Sequence, residues 1–180
     1  METWDVYDKY RNFTGKIVPR NDEQLLEDGD YGLVVHVAIF NSNNEMLIQK
    51  RQTTKTMYPN LWDISAGGHS IAGETSEEAI ERELFEEIGY QYDFSNQRPH
   101  FTINYEDGFG DVYIIQDEDT DINTLRLQYD EVQNIAWASK DEIFQLIDEG
   151  KFIPYQNGFI ELLFNMSNQR GVIKKKGVDH

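Results

Sequence analysis

The chain has 180 residues, a length that suits one domain around a single core. Its 39% hydrophobic and 13% aromatic content is enough to build that core, while 33 acidic against 16 basic residues leave a formal net charge of −17. Such a field opposes binding to nucleic acid polymers and to anionic membrane surfaces, and the lack of cysteine excludes disulfides, thiolate zinc sites and cysteine nucleophiles.

The start is polar and acidic, unlike a signal peptide. The longest apolar run, residues 33–40, contains His36 and is too short to span a bilayer. These features predict a cytoplasmic protein without membrane contact.

In chain order, residues 1–30 are polar and read as an N-terminal β extension, with turns at Thr14-Gly15 and Asp28-Gly29 and a hairpin around residues 15–18. Residues 31–40 are rich in Val and Ile and end at the turn cluster Asn41-Ser42-Asn43-Asn44. Residues 45–51 then alternate, so the pair predicts a β-hairpin. A short strand over 61–65 runs into Ala66-Gly67-Gly68, expected as a flexible loop. A helix follows, capped by Thr75 or Ser76 with Glu77 and Glu78 at its positive end, and it stops at Gly89.

Residues 101–105 and 111–116 predict a second hairpin around Asp107-Gly108-Phe109-Gly110. A strand is expected over 135–138. Ser139 caps a helix ending at Gly150, and a last helix is expected over 155–167. The order gives an α/β (α+β) class, a mixed sheet between helices. The main domain is expected over 31–170, with 171–180 as a solvated, flexible tail.

The helix before Gly89 carries the chemistry. At ~100° per residue, Glu83, Glu86 and Glu87 fall on one face, next to an apolar stripe of Ile80, Leu84 and Ile88. Ala79 lies inside the acidic arc and is expected to leave room beside it. An acidic stripe usually means a solvated face. Three crowded carboxylates are, however, also a hard-oxygen donor set suited to magnesium or manganese. The glycine-rich loop just upstream and Arg82 within the acids favour the second meaning.

Residues 68–90 fill the pattern Gly-x5-Glu-x7-Arg-Glu-U-x-Glu-Glu-x-Gly-U with Gly68, Glu74, Arg82, Glu83, Leu84, Glu86, Glu87, Gly89 and Tyr90, U being a bulky apolar residue. This resembles a complete Nudix box, with Tyr90 its one soft departure. The resemblance implies a Nudix fold and a metal-dependent hydrolase cleaving a diphosphate linkage, in a nucleoside diphosphate or one linked to another moiety. It implies Glu83, Glu86, Glu87 and the Gly67 carbonyl as ligands of Mg2+ or Mn2+, with Arg82 orienting the acids. Gly68 and Gly89 would serve the motif's structure, and Glu74 would brace the loop or act as an outer ligand.

For the general base, Glu83 and Glu131 both stand open, Glu131 resembling a downstream acid of MutT-type members. Arg51 and Lys55, scarce cations upstream, are candidates for diphosphate oxygens, and His69 either contacts phosphate or caps the loop. Tyr58, Phe109 and Trp137 are candidates for stacking, though lone aromatics are more often core.

Residues 2–11 and 49–69 further resemble the subgroup related to isopentenyl-diphosphate isomerase. Ala66 stands where that isomerase needs a cysteine and cannot move a proton, so isomerisation is disfavoured. A non-catalytic nucleotide-binding module is the alternative reading; retention of every box acid favours an enzyme. The partner expected is a small diphosphate, and residues 1–30 are left to serve a homodimer or to cover the pocket.

Overall fold

The computed structural model describes residues 2–20, 26–118 and 120–174. Lys175 and Lys176, expected in the solvated tail, lie outside them.

The centre of the molecule is β3 (Gly32–Phe40). It runs parallel to β8 (Gly108–Gln116) along its whole length, from Gly32↔Gly108 to Phe40↔Gln116. The expected hairpin to β4 (Met46–Arg51) exists only at its root, where Phe40 faces Met46. From there the two strands part. Ser65 joins them at the parting: its hydroxyl accepts from the Ile39 N–H at 2.8 Å and donates to the Leu47 carbonyl at 2.6 Å.

The parting is filled from the following segment. After β5 (Trp62–Asp63), which pairs with β4, comes β6 (Ala66–His69), antiparallel to residues 34–37 of β3. The glycine-rich stretch is therefore a paired strand, not a flexible loop. The ladder with β3 supplies the order that two glycines lack by propensity. Next, α1 (Ser76–Ile88) starts at a capping box between Thr75 and Glu78, and Gly89 ends it with φ 70°.

β7 (Phe101–Asn104) pairs with β8, whose start lies earlier than the sequence pattern predicts, so the turn is residues 105–107. β9 (Val132–Ala138) pairs with β4 and is also longer than expected. α2 (Lys140–Asp148) and α3 (Asn157–Met166) complete the order.

Strand alternation divides the core into two layers. Val35, Val37, Ile39 and Leu47 pack with Ile80, Leu84 and Ile88 of α1, whereas Ala38, Phe40, Met46 and Ile48 pack with Ile143, Phe152, Ile160 and Leu163. The sheet thus lies between α1 on one side and α2–α3 on the other. Ala79 belongs to the first layer and is fully buried, so it does not open space beside the acids.

The N-terminal residues form a two-stranded sheet, β1 (Thr3–Tyr7) and β2 (Phe13–Pro19). Its turn is at residues 8–12 rather than at Gly15. The Asp8 carboxylate accepts from the Tyr10 and Asn12 amides at 2.8 and 2.9 Å, and Arg11 takes φ 64°. The hairpin is fastened to the main sheet by a bidentate Arg11–Asp111 ion pair and by reciprocal backbone bonds of 2.9 Å between Tyr7 and Tyr31. Among the described residues no helix is long and apolar enough to cross a membrane.

Candidate active site

The site is assembled where β6 delivers the chain into α1. Glu74, in the connecting turn, accepts from the Ile71 amide at 2.8 Å and from Arg82 Nε and Nη2 at 2.7 and 3.0 Å. The Arg82 guanidinium reaches further, to Glu83 at 2.9 Å, Glu86 at 3.2 Å and the His69 carbonyl at 2.9 Å. Burial works against its charge, but Glu74 and Glu83 more than offset that and hold its pKa above the usual value. One arginine therefore ties the loop, the strand end and two carboxylates together.

Glu87 has different partners. Its carboxylate accepts from Gln49 Nε2 at 3.0 Å and from the Gly67 amide at 3.1 Å, and the residue is only 6% exposed. Burial, then the neighbouring charge of Glu83, pushes its pKa up to about 8. Burial also raises Glu83, against the pull of Arg82. Gly68 presses on Glu83: a Cβ there would stand 2.3 Å from a carboxylate oxygen. At Gly67 a Cβ would meet the Val35 carbonyl at 2.6 Å and the His36 ring at 2.7 Å. At Gly67 the obstacle is fixed backbone, so glycine is required there, whereas at Gly68 a methyl would displace the Glu83 carboxylate.

Among the described residues, no three acidic or imidazole side chains already converge on one metal position. The hydrogen bonds account for this: Glu83 and Glu86 turn to Arg82, whereas Glu87 turns to Gln49 and Gly67. The donor chemistry nevertheless fits a divalent ion. A buried carboxylate with its pKa near 8, beside a second raised carboxylate, lacks the positive charge that would hold both ionised.

Arg51 is held by the Met57 carbonyl at 3.1 Å and by Asp63, itself bonded to the Tyr155 hydroxyl at 2.9 Å. Lys55 and Glu131, expected in separate roles, form an ion pair with each other. The His69 ring stacks on Trp4, with centroids 4.4 Å apart and planes at 14°. Burial, with Arg20 and His36 nearby, lowers its pKa to about 4 and keeps it neutral. Of the stacking candidates, Phe109 is buried, Trp137 packs against the α1 layer and Tyr58 is exposed.

Sequence reasoning missed three groups. Gln49 lies two residues from Leu47 on the buried face of β4, and a polar residue in that register is a signal that was available. Trp4 and Arg20 could not be placed without the docked hairpin. Arg20, at the end of β2, pairs with Glu2, and its charge is further favoured by Glu83 and Glu131. The hairpin also accepts main-chain bonds from the turn before α1, Ala72 to the Thr3 carbonyl at 2.7 Å and Gly73 to Asp5 at 2.8 Å. It is thereby held against the turn that leads into α1.

Comparison with known proteins gives the family and the fold. The NUDIX domain pattern matches residues 30–158. An uncharacterised Nudix hydrolase of Listeria monocytogenes is 42% identical over 168 residues, which is 93% of this chain and 96% of that protein. Nudix hydrolase 3 of Arabidopsis thaliana is 32% identical over 94% of this chain, though that match spans 24% of the plant protein. A crystal structure from Deinococcus radiodurans shares the fold, with TM-score 0.72, 24% identity, and coverage of 91% of this chain and 98% of that one.

The chain belongs to the Nudix family. It is a Nudix hydrolase, a class of enzymes that act on phosphorus-containing anhydrides and generally use divalent metal ions.

Proposed function

We propose that this enzyme hydrolyses the diphosphate linkage of a nucleoside diphosphate, free or joined to another group, in the cytoplasm and with Mg2+ or Mn2+. The observation that carries this reading is the buried Glu87 carboxylate beside Glu83, two acids whose raised pKa values a divalent ion would reverse. Glu83, Glu86 and Glu87, with the Gly67 carbonyl, would hold the ion. When bound it would shield phosphate charge and acidify a water.

The protein's own groups then have distinct tasks. Arg82, braced by Glu74, keeps Glu83 and Glu86 oriented. Arg51 and Lys55 bind oxygens of the phosphate that does not react, Arg51 being pre-set by Asp63 and the Met57 carbonyl. When Lys55 moves to substrate, Glu131 loses its ion-pair partner and becomes free to take a proton. Water attacks phosphorus in line, the new O–P bond forms as the bridging P–O bond breaks, and the water's proton passes to Glu131. Glu83 is the competing base, and it is already engaged by Arg82. His69, stacked on Trp4, forms the rim facing the substrate. Ala66, buried and without a titratable atom, argues against an isomerase.

The test is a panel of nucleoside diphosphates and their conjugates with Mg2+ or Mn2+, read by phosphate release. Glu86→Gln and Glu87→Gln should each remove most turnover with the far-ultraviolet spectrum unchanged. Wild-type rates in both variants would overturn the metal-site assignment. Glu131→Gln should lower kcat and abolish the acid limb of its pH profile, whereas an unchanged limb assigns the base to Glu83.

A further inference from the structure

A cleft lies at the other edge of the sheet from the carboxylates. In the strand order β5-β4-β3-β8-β7, the carboxylates stand beside β4 and β6, whereas this cleft adjoins the start of β7 and the end of α3. It has a volume of about 520 Å³ and is lined by Arg98, Pro99, His100, Arg170 and Gly171.

Its charge is unusual for this chain. Acidic residues outnumber basic ones 33 to 16, and Arg11, Arg20, Arg51 and Arg82 each face a carboxylate. Among the described residues, Arg98 and Arg170 form no ion pair. Arg170 is instead fixed by two carbonyls, Nη2 to Arg98 at 2.8 Å and Nη1 to Pro99 at 3.3 Å. A guanidinium has five N–H donors, so this anchoring leaves donors for a ligand. His100 is also pre-set. Its Nδ1 accepts from the Ile114 amide at 3.1 Å, which places the ring proton on Nε2, and that donor has no partner among the described residues.

We propose that Arg98, His100 and Arg170 form a binding cleft for a phosphoryl dianion, separate from the carboxylate site. Two guanidiniums and one imidazole N–H match the several acceptor oxygens of a tetrahedral phosphate better than they match a planar carboxylate. A net charge of −17 repels extended polyanions, but a small dianion within a Debye length of ~8 Å feels the local arginines first. The ligand class is therefore free phosphate or a small phosphate monoester. The inference is independent of which diphosphate the enzyme cleaves.

The test uses the full chain without metal, followed by nuclear magnetic resonance at fixed ionic strength. Titration with inorganic phosphate should give saturable shifts of the His100 ring and the Ile114 amide, with little response to acetate. Glycerol phosphate in a parallel titration distinguishes the two sources: tighter binding than phosphate identifies a monoester, and weaker binding identifies the free ion. Arg98→Ala should weaken binding about tenfold, the effect of one charge-assisted hydrogen bond. Its side chain makes no hydrogen bond among the described residues, so the fold should persist. Arg170→Lys should weaken binding too, since it keeps charge but loses the fork. Non-saturating shifts, equal response to acetate, or unchanged affinity in Arg98→Ala would each overturn the proposal.

Discussion

Gln49 donates its side-chain N–H to the Glu87 carboxylate across 3.0 Å, joining the buried face of β4 to the last turn of α1. Both residues are buried, so this bond and the Gly67 amide decide which way the Glu87 carboxylate points. If Glu87 holds the ion as proposed, Gln49 is an outer partner of a metal-binding carboxylate, a contact worth ~10–100-fold in affinity or activity. Gln49→Met, close in volume, should therefore weaken Mn2+ binding by about that factor, measured by calorimetry, with the melting temperature little changed. Unaltered Mn2+ affinity would show that Glu87 needs no second support.

Gly67 and Gly68 make a contrasting pair. A methyl at Gly68 meets first the end of the Glu83 side chain, which can swing away, whereas a methyl at Gly67 meets the fixed Val35 carbonyl of the central strand. Gly68→Ala should lose most turnover while unfolding at nearly the wild-type urea concentration. Gly67→Ala should lose activity and also ~1–3 kcal/mol of stability, the usual cost of overpacking. Equal stability losses in the two variants would contradict the strand pairing of β6.

These glycines also mark the limit of what the sequence shows. The helix was legible because its signals are local: Thr75, Glu78 and Gly89 act within a few residues of where they stand. The later helices were legible from local signals too, α2 from its Ser139 cap and α3 from its apolar spacing. The strand at Ala66–His69 was not, because its order comes from β3, some thirty residues earlier. The turn at residues 8–12 was hidden because an ordinary arginine, not a glycine, takes the left-handed conformation there. In the site, the box residues were readable as a pattern, but the Lys55–Glu131 pair and the Trp4–His69 stack depend on folds of the chain that no short window contains.

His100 supplies a pH prediction outside the carboxylate site. Burial, with Arg170 nearby, lowers its pKa to about 4 from an ordinary 6.5. The unfolded chain therefore binds the proton more readily than the folded one, so stability is full above pH 6.5 and declines as pH falls toward 4. The imidazole is partly open to solvent, which limits the loss to the order of 1 kcal/mol. His36 and His69 are depressed as well and add to the slope, so the comparison must be with a variant. His100→Gln should show a shallower fall in urea midpoint between pH 6.5 and 4.5 than wild type. An identical slope would mean that His100 titrates alike in both states.

Arg11 and Asp111 decide whether the N-terminal hairpin stays on the sheet. Asp111 is fully buried and receives both Arg11 nitrogens as well as the Thr102 hydroxyl at 2.7 Å. Although burial opposes ionisation, these donors hold its pKa below the ordinary carboxylate value. Arg11→Met removes the guanidinium and leaves a buried, uncompensated carboxylate, a change that costs about 3–5 kcal/mol. Adding Asp111→Asn removes that stranded charge, so the double variant should recover much of the loss. Because Trp4 and Arg20 reach the carboxylate site only while the hairpin is docked, the single variant should also raise KM more than it lowers kcat. Urea unfolding of the two variants, with steady-state kinetics of each, separates the effects. If the double variant is no more stable than Arg11→Met, the pair is not what fastens the hairpin, and the backbone bonds at Tyr7 and Tyr31 carry it instead.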